Sequence, residues 1–219
     1  MNARSEVFEL CLEGRQVQEA VSGIFHTLLF HRTLGKFHYK REGSYSVGTV
    51  GFEDVTCDFV DFTYVRCASD ELNEAVCRDV TAFSDRLRSH DGPRTGQIWL
   101  EFFQKKRTHW LLPTENIPWE VWSIRINVIT LPNEQERQRQ RANLGEQLAE
   151  KVVAVAASIN RHQYLPRVPS EPDLELVFDT RYPDVQPYHF KVGYQTSGPC
   201  NNPTISSTMR KLLKDTLSF

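Results

Sequence analysis

With 219 residues, 40% hydrophobic and 25% charged, the chain is long and apolar enough to bury one sizeable core, and its composition excludes a disordered polypeptide. Lys+Arg 26 against Asp+Glu 28 gives a formal net charge of -2, without the basic excess that neutralises a phosphate backbone, so no nucleic acid is expected as a partner. No stretch approaches the roughly 18 consecutive apolar residues of a membrane span, and Met1–Glu6 lacks the apolar run of a signal peptide, so any membrane association is expected to be indirect.

In chain order, Val7 to Leu12 alternates with Phe8, Leu10 and Leu12 on one face, which predicts a half-buried strand. Val17, Val21, Ile24, Phe25, Leu28 and Leu29 share one helical face, which predicts an amphipathic helix over 15–32 whose stripe covers a sheet. Lys36 to Tyr39 and Cys57 to Arg66 read as strands around the connection Gly43, Gly48, Gly51, and Leu72, Val76, Val80, Phe83 and Leu87 mark a second helix before Gly92-Pro93. Gln97 to Lys106 and Trp119 to Thr130 predict a hairpin. In its second arm Trp122, Ile124, Ile126 and Val128 share one face and Ser123, Arg125 and Asn127 the other, as in a sheet covered on one side.

Asn133 with Glu136 three residues on is a capping-box start for a helix to about Asn160. Its first half, 134–143, is polar all round and is expected to project or meet a partner, whereas Leu144, Leu148, Val152, Val155 and Ile159 give the second half a core face. Beyond Leu165, Pro166, Pro169, Pro172, Pro183 and Pro187 imply an extended segment wrapping the surface, with a strand over 186–195. Ile205, Met209, Leu212, Leu213 and Leu217 fit a short C-terminal helix, although a strand remains open. The organisation expected is one domain over 1–219, with a core at 5–165 and a wrapping segment at 166–219.

Catalytic signatures are sparse. Gly48 is followed by Thr49 where a phosphate loop needs Lys, and Asp58 and Asp61, three apart on a strand, would point to opposite faces. The seven histidines show no H-x-x-x-H spacing, and the five cysteines (Cys11, Cys57, Cys67, Cys77, Cys200) form an odd set without a C-x-x-C pair. Reduced cytosolic thiols, no catalytic residue, no metal and no cofactor are therefore expected. Arg137, Arg139 and Arg141 read most simply as a solvated helix face, with contact to a partner as the alternative. The feature that stands out is His109-Trp110-Leu111-Leu112-Pro113, an apolar tip between two strand runs. Trp110 is either folded back over the sheet or an anchor for a partner pocket, whereas Trp119 and Trp122 suit the core.

Several motifs together resemble one family along nearly the whole chain. They are Lys36-Phe-His-Tyr-Lys40, Cys57-Asp-Phe-Val-Asp-Phe-Thr-Tyr-Val-Arg66, Ile117-Pro-Trp-Glu-Val-Trp122, Asn160-Arg-His, Tyr164-Leu-Pro166, Val177-Phe-Asp-Thr180, Asp184-Val-Gln-Pro-Tyr188, Thr208-Met-Arg210 and Lys214-Asp-Thr-Leu217. The sequence resembles the autophagy-related protein 101 family. That resemblance implies an α+β HORMA fold, a mainly antiparallel sheet backed by three helices with a C-terminal belt-like segment. It also implies a non-catalytic cytoplasmic subunit of the autophagy-initiation kinase complex, at the phagophore assembly site on induction. Such a subunit pairs HORMA to HORMA with autophagy-related protein 13, meets the kinase and its scaffold subunit indirectly, and recruits autophagosome-forming effectors. The family's recruiting finger carries Trp, Pro and Phe in succession. Here Trp110 matches, and Leu111 and Leu112 stand in the other two places. An adaptor trapping a short peptide under its C-terminal belt and a small thiol hydrolase are the competing readings.

Overall fold

The computed structural model describes residues 3–40, 44–89, 94–107, 114–159 and 165–196. The chain is α+β, built on a mainly antiparallel four-stranded sheet. Its strands are β1 (Arg4–Glu13), β8 (Glu115–Ile129), β7 (Thr95–Lys106) and β10 (Phe190–Thr196), in that spatial order. β1 runs parallel to β8, and the other two pairs are antiparallel. Three small ladders flank the sheet: β2 (Thr33–Leu34) with β9 (Gln186–Pro187), β3 (Phe37–Tyr39) with β4 (Tyr45–Val47), and β5 (Phe52–Thr56) with β6 (Thr63–Cys67). The described helices are α1 (Val17–His31), α2 (Asp70–Arg88), α3 (Glu134–Ile159) and the single turn α4 (Leu174–Val177).

The apolar stripe of α1 joins Leu10, Leu12, Ile98, Leu100, Ile124 and Ile126 of the sheet in one core. α1 is buried beyond that stripe, because the β5–β6 ladder packs on its other side. Gly23 lies against Phe62 and Tyr64, and the Thr27 hydroxyl, sealed from water, donates back to the Gly23 carbonyl at 2.7 Å. α3 begins as the capping pattern predicts. The Glu136 amide donates to Asn133 Oδ1 at 2.9 Å, satisfying one of the free amides of the first turn.

Four expectations change. First, 57–66 is not one strand, since Thr56 and Thr63 end the two arms of a hairpin and 57–62 is its turn. The turn is fixed from outside, as the Glu19 carboxylate on α1 accepts from the Asp58 and Phe59 amides at 2.8 Å each. Asp58 and Asp61 are thus turn residues, not members of opposite strand faces. Second, the polar first half of α3 does not project. Arg137 reaches Glu13 at 3.3 Å, Gln140 donates to the Cys11 carbonyl at 2.8 Å, and Arg141 pairs with Asp61. Gly145 permits this docking, because a Cβ there would run into the Asp61 carbonyl.

Third, the proline-rich stretch enters the core. Val177, Phe178, Val185 and Tyr188 are buried, with Phe178 between Phe37 and Tyr188 at ring distances of 5.2 and 4.5 Å. The predicted 186–195 strand is broken at Tyr188 and His189 as a result. Fourth, Arg125 and Asn127 are exposed as expected, but Ser123 and Val121 are buried, so the second face of the sheet is partly covered toward the β7–β8 loop. The short helix predicted over 205–217 lies outside the described residues.

Candidate interaction surface

Two of the chain's thiols, Cys57 and Cys67, are insulated by burial. Burial, helped by the Glu19 carboxylate, pushes the Cys57 thiol up to about 12, and burial also raises Cys67, so both stay protonated at neutral pH. Cys77 is half-buried, 3.6 Å from the Thr81 hydroxyl, while Cys11 is exposed on β1. Among the described residues no group of three His, Cys, Asp or Glu side chains is arranged to hold a metal ion, and no helix is long and apolar enough to cross a membrane.

His26 is stacked on Tyr64 at 5.8 Å, and burial with the nearby Arg66 lowers its pKa from 6.5 to about 4. The unfolded chain therefore takes up the proton first. The stability from keeping His26 neutral is complete above pH 6.5 and is lost as pH falls toward 4. Lowering the pH from 7 to 4.5 is expected to cost the wild-type chain about 2–3 kcal/mol more than His26→Gln in urea unfolding. Equal losses in the two proteins would show that this histidine does not govern the acid limb.

Of the three arginines predicted as a solvated face, Arg139 is exposed as expected, while Arg137 and Arg141 also pair within the chain. Arg137 pairs with Glu13 and Glu134, Arg141 with Asp61, and Arg15 stacks over Phe59 at 5.6 Å beside them. Trp119 and Trp122 are core, as expected, and the Trp122 indole donates to Glu120 Oε1 at 2.9 Å. Glu120 also accepts from Arg32 at 2.7 and 3.2 Å, and Arg32 donates to the Ile159 carbonyl at 3.1 Å. One buried guanidinium thus ties the end of α1 to β8 and to the end of α3.

Trp110, Leu111 and Leu112 lie outside the described residues. The structure does fix the arm they cap. β7 and β8 pair out to Lys106 opposite Glu115, and Lys106, Arg107, Thr114, Glu115 and Asn116 are all exposed. Arg107 anchors the base, 3.5 Å from Asp173 and donating to the Pro172 carbonyl at 3.3 Å. The described part of the arm is thus a hydrogen-bonded two-stranded stem that ends in exposed residues.

A second surface escaped the sequence reading. Phe30 and Phe52 meet edge to face at 6.3 Å yet stay 37% and 66% exposed. Two large rings touching each other and water form the kind of patch a partner covers. Phe30 was legible as an aromatic off the apolar stripe of α1. Phe52 was not, because the strand carrying it was not predicted.

The chain matches the family described as Autophagy-related protein 101 over residues 9–172. It belongs to that family. It is 51% identical over 219 residues to Autophagy-related protein 101 of Xenopus tropicalis and 50% identical over 219 residues to that of Homo sapiens, each match covering 100% of both chains. The Schizosaccharomyces pombe protein of the same name is 23% identical over 160 residues, covering 73% of this chain and 77% of that one. Membership of this family supports a role in autophagy.

Proposed function

We propose that this chain is a non-catalytic HORMA-fold scaffold of the autophagy-initiation kinase complex. It pairs with the HORMA domain of autophagy-related protein 13 and stabilises it, and it recruits downstream effectors through Trp110, Leu111 and Leu112. The kinase and its scaffold subunit are reached through that partner. The protein acts in the cytoplasm and at the phagophore assembly site, with its membrane association indirect. The observation that supports the reading is the arm of β7 and β8, whose strands pair out to Lys106 opposite Glu115 and are joined in sequence by the segment that holds Trp110, Leu111 and Leu112. The exposed Phe30 and Phe52 pair supplies a second surface, which this reading gives to the HORMA partner.

The test is co-expression with the HORMA domain of autophagy-related protein 13, followed by size-exclusion chromatography with light scattering. A one-to-one complex is expected, and Phe52→Asp should weaken it at least about 30-fold, the loss typical of a central aromatic anchor. Separate elution of the two wild-type proteins would remove the pairing, and an unaffected Phe52→Asp complex would move the interface elsewhere. A second reading is favoured by one feature: β10 is an edge strand, paired on one side only among the described residues. An extended peptide could add to that edge, as in an adaptor that traps short segments under its belt. Recovery of short linear peptides instead of a folded HORMA domain would support it.

A further inference from the structure

A hollow of about 260 Å³ lies between the turn Gly14–Gln16, the end of α2 and the end of β8. Arg15, Arg88, Arg94 and Thr130 line it, and Glu13 is the one acid among its lining residues. Glu13 adds little net charge to the hollow. It is buried, and its two oxygens are taken by Arg15 at 3.0 Å and by Arg137 at 3.3 Å. Arg88 and Arg94 are exposed, and among the described residues no carboxylate pairs with either. The hollow therefore keeps a positive excess in a chain whose formal net charge is -2.

Distant parts of the chain build this cluster. Gly14 lets the end of α2 approach, since a Cβ there would stand 3.2 Å from Arg88 Cγ. The Arg94 carbonyl accepts from the Val128 amide at 2.7 Å, which fixes its backbone beside β8. Arg15 is held at Nε by Glu13 and lies over the Phe59 ring at 5.6 Å, and among the described residues its two Nη nitrogens have no acceptor. A cation in the last turn of α2 suits the helix dipole, and Arg86 in that turn lies over Tyr194 at 5.5 Å. The dipole accounts for a charge at Arg88. It does not account for Arg15 and Arg94 meeting Arg88 at one hollow.

We propose that this hollow binds the phosphoryl group of a phosphoserine or phosphothreonine in a partner protein. A phosphoryl group brings close to two negative charges and three acceptor oxygens at neutral pH, and a guanidinium fork pairs with two of them at once. Three arginines around one hollow suit that tetrahedral dianion better than a planar carboxylate, which one fork satisfies. Arg15 also lines a second cavity, of about 150 Å³, with Phe59, Glu134, Arg137, Gln138 and Arg141. Phe59 is 42% exposed there, so a side chain beside the phosphorylated residue has a ring to rest on. That apolar neighbour favours a protein segment over a lipid headgroup, which is recognised by larger basic clusters, and over a nucleic acid, which needs a longer run of cations. The site stands apart from the HORMA pairing and from Trp110.

The experiment immobilises the full chain and offers it two peptide pools, randomised around a fixed phosphoserine or a fixed serine. Retention of the phosphoserine pool is expected to exceed that of the serine pool at least about tenfold, the scale of charge-assisted hydrogen bonds, with apolar residues enriched beside the phosphoserine. Arg88→Gln with Arg94→Gln should remove most of that preference at an unchanged urea midpoint, because both side chains are exposed. Phe59→Ala should erase the flanking selection and leave the phosphate dependence. Equal retention of the two pools would overturn the proposal, and so would a phosphoserine preference that survives the double substitution. Phosphatidylcholine vesicles carrying a phosphatidylinositol phosphate, and inorganic phosphate alone, are the remaining probes. Binding of either without a preference between the peptide pools would make a bilayer or a free anion the occupant, and would equally overturn it.

Discussion

Arg32→Ala is expected to lower the unfolding free energy by about 3–5 kcal/mol, the cost of leaving one member of a buried ion pair alone. Arg32 and Glu120 are both buried, Glu120 to 1% exposure, and the pair closes at 2.7 Å. Removing the guanidinium leaves the carboxylate with the Trp122 indole as its remaining donor among the described residues and frees the Ile159 carbonyl at the end of α3. Apolar substitution of both partners has a different outcome. Arg32→Met with Glu120→Leu removes the charge and the need for its partner together, so it should stay within about 1–2 kcal/mol of wild type. Urea midpoints of the single and double variants separate the two cases. A single variant as stable as wild type would mean that solvent reaches Glu120 in a way the packing does not suggest.

Trp110→Ala is expected to weaken effector binding by at least about 30-fold while the one-to-one complex with the HORMA partner elutes unchanged. The reason lies in the arm: the stem ends in exposed residues and Arg107 is pinned to the 172–173 turn, so a change at the loop should not propagate into the core. Leu112→Phe, which restores the ring that stands third in the family's finger, should strengthen the same interaction. Pull-down of effectors by the intact complex measures both. Unchanged recruitment by Trp110→Ala would transfer the recruiting role away from this loop.

The sequence by itself determined the elements whose pattern repeats within a few residues. Phe8, Leu10 and Leu12 set β1, the stripe from Val17 to Leu29 set α1, Asn133 and Glu136 set the start of α3, and the alternation from Trp122 to Val128 set the buried face of β8. Each depends on a strand or helix period and on a cap formed three residues away, so no distant partner is needed to read it. The motifs likewise identified the family before any coordinates.

Tertiary structure decided what long-range partners control. Residues 57–66 look like a strand because six of the ten are apolar or aromatic, yet the Glu19 carboxylate, 39 and 40 residues away, satisfies two amides and holds a turn there. The polar start of α3 looked free because its partners Glu13, Cys11 and Asp61 lie on other elements. Phe178 looked like part of a wrapping segment until Phe37 and Tyr188 enclosed it. The pairing of Phe30 with Phe52 and the ion pair of Arg32 with Glu120 were equally invisible. Periodicity reports which face of an element is apolar, whereas the energy of a buried charge, a satisfied amide or a ring in water depends on what the rest of the chain brings to it.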